Sequence, residues 1–237
     1  MFSNVHIVLV NTSHPGNIGS TARAMKTMGF KKLILVNPKE FPSEKSNALA
    51  VGCTDVLKTA KVFPSLDVAI GSSNINIGLS ARTRKASIPV LSVDDCVKYV
   101  LSNNSLKYNI IFGSEASGLS NSDLLKCDYI VSIPTYKDYS SLNLSAAVQL
   151  ITYELYQKSN IHKLITKKST SYATTKEKNY FIESLIDLMN ETNFMSVKNS
   201  KSLTKKIHIL FNKANLESDE VNMLLGMINS IYKKLNK

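Results

Sequence analysis

Cysteine is scarce in this 237-residue chain: Cys53, Cys96 and Cys127 are odd in number and far apart. That spacing excludes a disulfide framework and a zinc ribbon, and leaves small buried hydrophobes as the expected role. Histidine is almost as rare, and His6, His14, His162 and His208 never fall in metal-ligand spacing with one another or with a cysteine. A metal enzyme is therefore not expected. No apolar run approaches the ~18 residues of a membrane span, and Met1–Asn11 lacks the basic, apolar and small-residue order of a signal peptide. The expectation is a cytoplasmic protein with no membrane partner. Acidic residues are outnumbered, 18 against 29 Lys and Arg, for a formal net charge of +11.

What is present is ordinary globular material. Hydrophobic residues are 43% and charged residues 20%, which excludes a disordered or fibrous chain, and the length suits one or two domains. The charge is unevenly placed. Residues 1–157 hold 15 Lys and Arg against 11 Asp and Glu, whereas residues 158–237 hold 14 against 7. Such a basic C-terminal third is either a phosphate-binding appendage or a solvated helical face.

Through residue 157, short apolar runs alternate with amphipathic stretches. Val5–Val10, Leu33–Val36, Asn74–Gly78, Asn109–Gly113 and Tyr129–Ile133 read as strands, and Asn17–Gly29, Ser92–Leu101 and Leu142–Gln157 as helices. The alternation predicts an α/β domain with a parallel sheet and helices on both faces, with its site in the loops after the strand C-terminal ends. Residues 158–175 are polar and basic without a period and read as a linker. Residues 176–237 show three helical stretches with apolar stripes, predicting a small α-helical module.

Three segments carry candidate chemistry. Asn17-Ile-Gly-Ser-Thr-Ala-Arg23 places an arginine on the first helix, either a surface charge or a cation facing the strand-end cleft. Phe112-Gly-Ser-Glu-Ala-Ser-Gly-Leu119 brackets Glu115 between two glycines, where backbone can approach a ligand. Ile133-Pro134 precedes Ser140-Ser-Leu-Asn-Leu-Ser-Ala-Ala147, where Pro134 is expected to stop the strand and a serine to cap the next helix. Arg82, Arg84 and Lys85 add a basic loop.

In that order and spacing, these motifs resemble the SPOUT RNA ribose methyltransferases. Val5–Phe30, Ser80–Arg84, Tyr139–Leu144 and the segments near Leu210 and Asn222 are similar to the TrmJ-type group, which methylates the ribose of cytidine or uridine 32 in tRNA. The resemblance covers essentially the whole chain. It implies a deep trefoil knot in the C-terminal part of the α/β domain, a SPOUT domain over residues 1–157, a linker over 158–175 and a module over 176–237 for tRNA binding or dimer support. It implies S-adenosylmethionine bound by Leu79, Ser80, Ala81, Gly113, Glu115, Ile133, Ser140, Ser141, Leu142 and Asn143. It assigns catalysis to Arg23, with Asn17, Ser141 and Asn143, in a homodimer where Arg23 approaches the partner's cofactor. RNA contacts are expected from Arg82, Arg84, Lys85, Lys167, Lys168, Lys205 and Lys206, with no metal. Alternatives are another tRNA or rRNA ribose target, or a non-catalytic RNA-binding protein on the same fold. A dinucleotide oxidoreductase is disfavoured because no G-x-G-x-x-G follows Val5–Val10.

Overall fold

The computed structural model describes residues 2–81, 88–159, 171–195 and 200–235. The chain divides into two compact units, residues 1–70 with 75–167, and residues 71–74 with 168–237. In the first unit the order is β1 (Val5–Val10), α1 (Pro15–Thr27), β2 (Lys32–Val36), α2 (Glu44–Leu49), α3 (Thr54–Lys58), β3 (Lys61–Phe63), α4 (Leu66–Ile70), β4 (Ile75–Leu79), β5 (Val90–Leu91), α5 (Val93–Ser102), β6 (Tyr108–Phe112), α6 (Asn121–Leu124), β7 (Tyr129–Val131) and α7 (Leu144–Ser159). The strands form one sheet, β3-β2-β1-β6-β4-β7-β5, and every pairing is parallel.

The sheet is apolar on both sides because its central strands are buried on both sides. Val8, Val10, Ile34, Val36 and Ile111 share a core with Leu66, Ala69 and Ile70 of α4 and Leu124 of α6. Residues of the opposite parity, Ile7, Leu9, Leu33, Leu35 and Ile110, are no more than 1% exposed, so helices cover both faces as expected. Across this apolar frame runs one polar row in register, His6, Asn109 and Asn76. Asn109 Nδ2 donates to Asn76 Oδ1 at 2.9 Å, His6 Nδ1 lies 3.2 Å from Asn109 Oδ1, and Asp128 accepts the Asn76 amide at 2.7 Å. Burial lowers the His6 pKa. The row penalises any slip in register, which would leave these groups buried and unpaired.

Two local expectations are corrected. β7 ends at Val131, not Ile133, and Pro134 is not what stops it: both neighbours, β4 and β5, end opposite Val131, so no partner remains. Six short elements, α2, α3, β3, α4, β5 and α6, were not anticipated; each has two to six residues, too few to display a period. The cysteines are free and buried. Burial pushes the Cys96 thiol up to about 12 and the Cys127 thiol up as well, so neither is a nucleophile. No helix among the described residues is long and apolar enough to cross a membrane.

The second unit contains α8 (Thr175–Glu191), α9 (Ser200–Lys213) and α10 (Ser218–Leu235) around Phe181, Ile182, Leu188, Ile207, Val221 and Ile228. The Phe181 ring meets Phe211 edge-on, with centroids 4.7 Å apart. Ile231 of α10 is 44% exposed. The tetrapeptide Gly71–Asn74 belongs to this unit. Asn74 Nδ2 donates to the Tyr172 and Ala173 carbonyls, and the Ser73 carbonyl accepts from the Thr175 amide and hydroxyl. Residues 160–170, most of the expected linker, lie outside the described residues.

Candidate active site

Parallel pairing brings the C-terminal ends of β4, β6 and β7 to one edge of the sheet. The loops leaving them, with the segment entering α7, enclose a cleft of about 250 Å³. Leu79, Ser80, Ala81, Gly113, Glu115, Ile133, Ser140, Ser141 and Leu142 line it, together with Phe112, Leu119, Thr135, Leu144 and Ala147. Nine of the ten residues expected around a cofactor therefore meet in one cavity. The tenth, Asn143, is not among the lining residues.

Gly113 is required by its own loop. A Cβ there would lie 2.0 Å from the Gly118 carbonyl carbon and 2.1 Å from the Leu119 nitrogen. The loop turns back tightly, with the Gly118 amide donating to the Ser114 carbonyl at 2.9 Å and Gly118 at a φ of 69°. One glycine permits the close approach and the other the left-handed turn.

That turn aims Glu115 at α1. The start of α1 has no side-chain cap, since His14 occupies the N-cap position. Glu115 supplies the missing acceptor from another part of the chain: Oε2 accepts the Ser13 amide and hydroxyl, both at 2.9 Å, and Oε1 accepts the His14 amide at 3.3 Å and Asn17 Nδ2 at 2.8 Å. Burial alone would raise the Glu115 pKa. Bonds from Asn17 and Ser13 and from its own backbone outweigh burial and hold the carboxyl at about 2.

The ionised carboxylate also fixes the Asn17 amide. Because Glu115 only accepts, Asn17 must present Nδ2 to it, leaving Oδ1 to accept from Asn143 Nδ2 at 3.1 Å. Asn143 Oδ1 accepts the Ser145 amide at 2.9 Å and the Ser145 hydroxyl at 2.7 Å, so Asn143, and not a serine, caps α7. One relay, Glu115 to Asn17 to Asn143, joins all three sequence motifs. The amide groups of Asn17 and Asn143 are occupied by this structural work.

Arg23 stands apart. It lies six residues beyond Asn17 on α1, about 120° around the helix. It is exposed, is not among the cleft residues, and its guanidinium has no partner among the described residues. Lys205 and Lys206 lie exposed on α9 in the second unit. Arg82, Arg84, Lys85, Lys167 and Lys168 lie outside the described residues. What sequence reading missed is the role of Ser13 and His14, whose amides meet a carboxylate 102 and 101 positions away; no local pattern signals such a pairing.

Glu115→Gln tests the clamp. Glutamine keeps one acceptor but turns an amide toward donors, so stability should fall by about 1–3 kcal/mol at neutral pH. The folded pKa of about 2 lies below the ordinary 4.5, so the carboxylate stabilises above pH 4.5 and loses its contribution as pH falls toward 2. Denaturant midpoints of wild type and variant should therefore converge on acidification over that window.

Residues 4–153 match the SpoU rRNA Methylase family, and residues 177–237 match the C-terminal domain of the tRNA methyltransferase TrmJ. The chain belongs to the SpoU methylase family. A relative from Sodalis glossinidius, named tRNA (cytidine/uridine-2′-O-)-methyltransferase TrmJ, is 39% identical over 98% of this chain and 92% of its own. The crystal structure of TrmJ from Z. mobilis ZM4 superposes with a TM-score of 0.83 at 25% identity, covering 96% of this chain and 98% of that one. The SpoU methyltransferase AviRb from Streptomyces viridochromogenes, crystallised with the cofactor AdoMet, aligns with 66% of this SpoU methylase and 61% of its own length, at 26% identity and a TM-score of 0.52.

Proposed function

We propose that this SpoU methylase transfers a methyl group from S-adenosylmethionine to the ribose 2′-hydroxyl of cytidine or uridine 32 in the anticodon loop of tRNA. The observation that carries this reading is the joint match of one chain to the SpoU methylase family and to the TrmJ C-terminal domain. Full-length similarity to relatives named for the cytidine and uridine 2′-O-reaction supports it. Nucleoside mapping of tRNA from a deletion strain tests it: 2′-O-methylation at position 32 should vanish and return with the wild-type gene. Loss at another tRNA or rRNA nucleotide would redirect the assignment.

The cleft residues fit the cofactor. Leu79, Ile133, Leu142 and Leu144 offer apolar walls for a planar ring, and the loop amides with Ser80, Ser140 and Ser141 offer polar atoms at the rim. Bound S-adenosylmethionine supplies an already electrophilic sulfonium methyl. The protein must then align a weakly nucleophilic hydroxyl and help remove its proton. Arg23, a guanidinium cation, orients the hydroxyl and the adjacent phosphate, stabilises developing oxyanion character, and relays the proton to solvent, releasing one N–H proton as it gains the hydroxyl's. Ser141 assists at the cleft, while Asn17 and Asn143 hold the loops in register with Glu115. Because Arg23 is not a lining residue of its own cleft, we place it at the cleft of a second subunit in a homodimer. The path from β7 to α7 is assigned to the trefoil knot, and the protein to the cytoplasm.

No step requires a metal. Chelator should leave methyl transfer within twofold of the untreated rate when tRNA folding is held constant, as measured by transfer of labelled methyl. A strict Mg²⁺ requirement for the chemical step would contradict this mechanism.

A further inference from the structure

The loop between β7 and α7 carries a feature that the reaction above leaves unused. Tyr136 and Tyr139 are 69% and 78% exposed, the two most exposed large hydrophobic side chains among the described residues. The Tyr139 amide donates to the Tyr136 carbonyl at 3.0 Å, and the two residues pair as an antiparallel bridge around Lys137 and Asp138. Directly paired residues project to the same face of such a turn. Among the described residues neither hydroxyl has a hydrogen bond, and neither ring touches another ring. Their chain neighbours Thr135 and Ser140 both line the cleft. Two bare aromatic rings therefore sit on one face of a tight turn, one residue from the cavity on each side.

We propose that Tyr136 and Tyr139 form a stacking platform for unpaired bases of the RNA substrate, holding the target nucleotide with its ribose at the cleft. The proposal rests on the reading of this site as an RNA ribose methyltransferase. A ribose in a stacked loop reaches a recessed cleft only when its base is drawn from its neighbours, and an aromatic ring compensates the lost stacking. Stacking accepts any base, since every base has a π-face, which matches a site that modifies the sugar. The charges of Lys137 and Asp138 cancel within the turn, so the platform contributes contact area rather than long-range attraction.

The test is a Tyr136→Ala, Tyr139→Ala double variant of the full chain, with the corresponding Phe pair. An anticodon stem-loop carrying 2-aminopurine beside the target nucleotide reports stacking, free of interference because the chain has no tryptophan. The alanine pair should raise KM for tRNA roughly tenfold to a hundredfold and abolish most fluorescence quenching. S-adenosylmethionine affinity, the salt dependence of tRNA binding and the oligomeric state should not change, and the phenylalanine pair should restore quenching. Wild-type KM and quenching in the alanine pair would overturn the platform alone. Altered oligomeric state in the alanine pair would also overturn it, identifying the rings as a contact with a second copy. A wild-type protein that neither binds nor methylates tRNA would overturn the methyltransferase reading and the platform together.

Discussion

Arg23→Ala should lower the rate of methyl transfer by about a hundredfold to ten-thousandfold while leaving S-adenosylmethionine affinity within a few fold. The range is that of losing a transition-state donor or a proton-transfer group. Cofactor binding should survive because Arg23 lies outside the cleft and bonds to none of its residues. The fold should survive as well, since its exposed guanidinium supports no neighbour among the described residues. Arg23→Lys should recover little, because a point charge cannot engage hydroxyl and phosphate together as a planar fork does. Single-turnover methylation, isothermal titration with cofactor and thermal melting separate the three expectations. Near-normal turnover in the alanine variant would remove Arg23 from the mechanism. If it acts across a dimer, co-assembly of Arg23→Ala subunits with subunits disabled in the cleft should restore activity at one of the two sites.

Long buried strands were legible in the sequence because they leave little to choose. Val5–Val10 coincides with β1, and Ser92 caps α5 through the Asp95 amide as its position implied. The cleft was legible for a related reason: a parallel sheet delivers the loops after β4, β6 and β7 to one edge. What the sequence withheld was the direction of side chains. Glu115 reads as a cofactor contact by its place between Gly113 and Gly118, yet its carboxylate turns onto Ser13, His14 and Asn17. Asn143 reads as a cleft residue and proves to cap α7 while holding Asn17. The bonds from Ser13, His14 and Asn17 to Glu115 and from Asn143 to Asn17 span 98 to 126 positions, and only the folded topology creates them. The result alters how the motifs work. Asn17, Glu115 and Asn143 form one frame that orients α1, and through α1 the arginine six residues on. A variant at any of the three should therefore depress activity without the residue touching substrate.

Lys205→Glu with Lys206→Glu should weaken tRNA binding roughly tenfold or more and flatten its salt dependence, with cofactor binding unchanged. Residues 158–237 carry 14 Lys and Arg against 7 Asp and Glu. If about four of these cations meet phosphates, the logarithm of affinity should fall with the logarithm of salt at a slope of roughly −3, and losing two contacts should bring it near −1.5. Both lysines are exposed on α9 while Ile207 beside them is buried in the core, so reversing their charge leaves the packing intact. Truncation is a poorer probe. Removing residues 158–237 would strip Asn74 Nδ2 of the Tyr172 and Ala173 carbonyls, and the Ser73 carbonyl of the Thr175 amide and hydroxyl. It would also delete Lys158, whose ammonium pairs with Asp94 at the start of α5. A truncated protein that failed to bind tRNA would confound a lost contact with a damaged fold. The double charge reversal keeps those anchors, and filter binding from low to moderate salt reads both affinity and slope. Unchanged affinity and slope would mean that the helical unit serves stability or assembly and that the RNA is held by Arg82, Arg84 and Lys85.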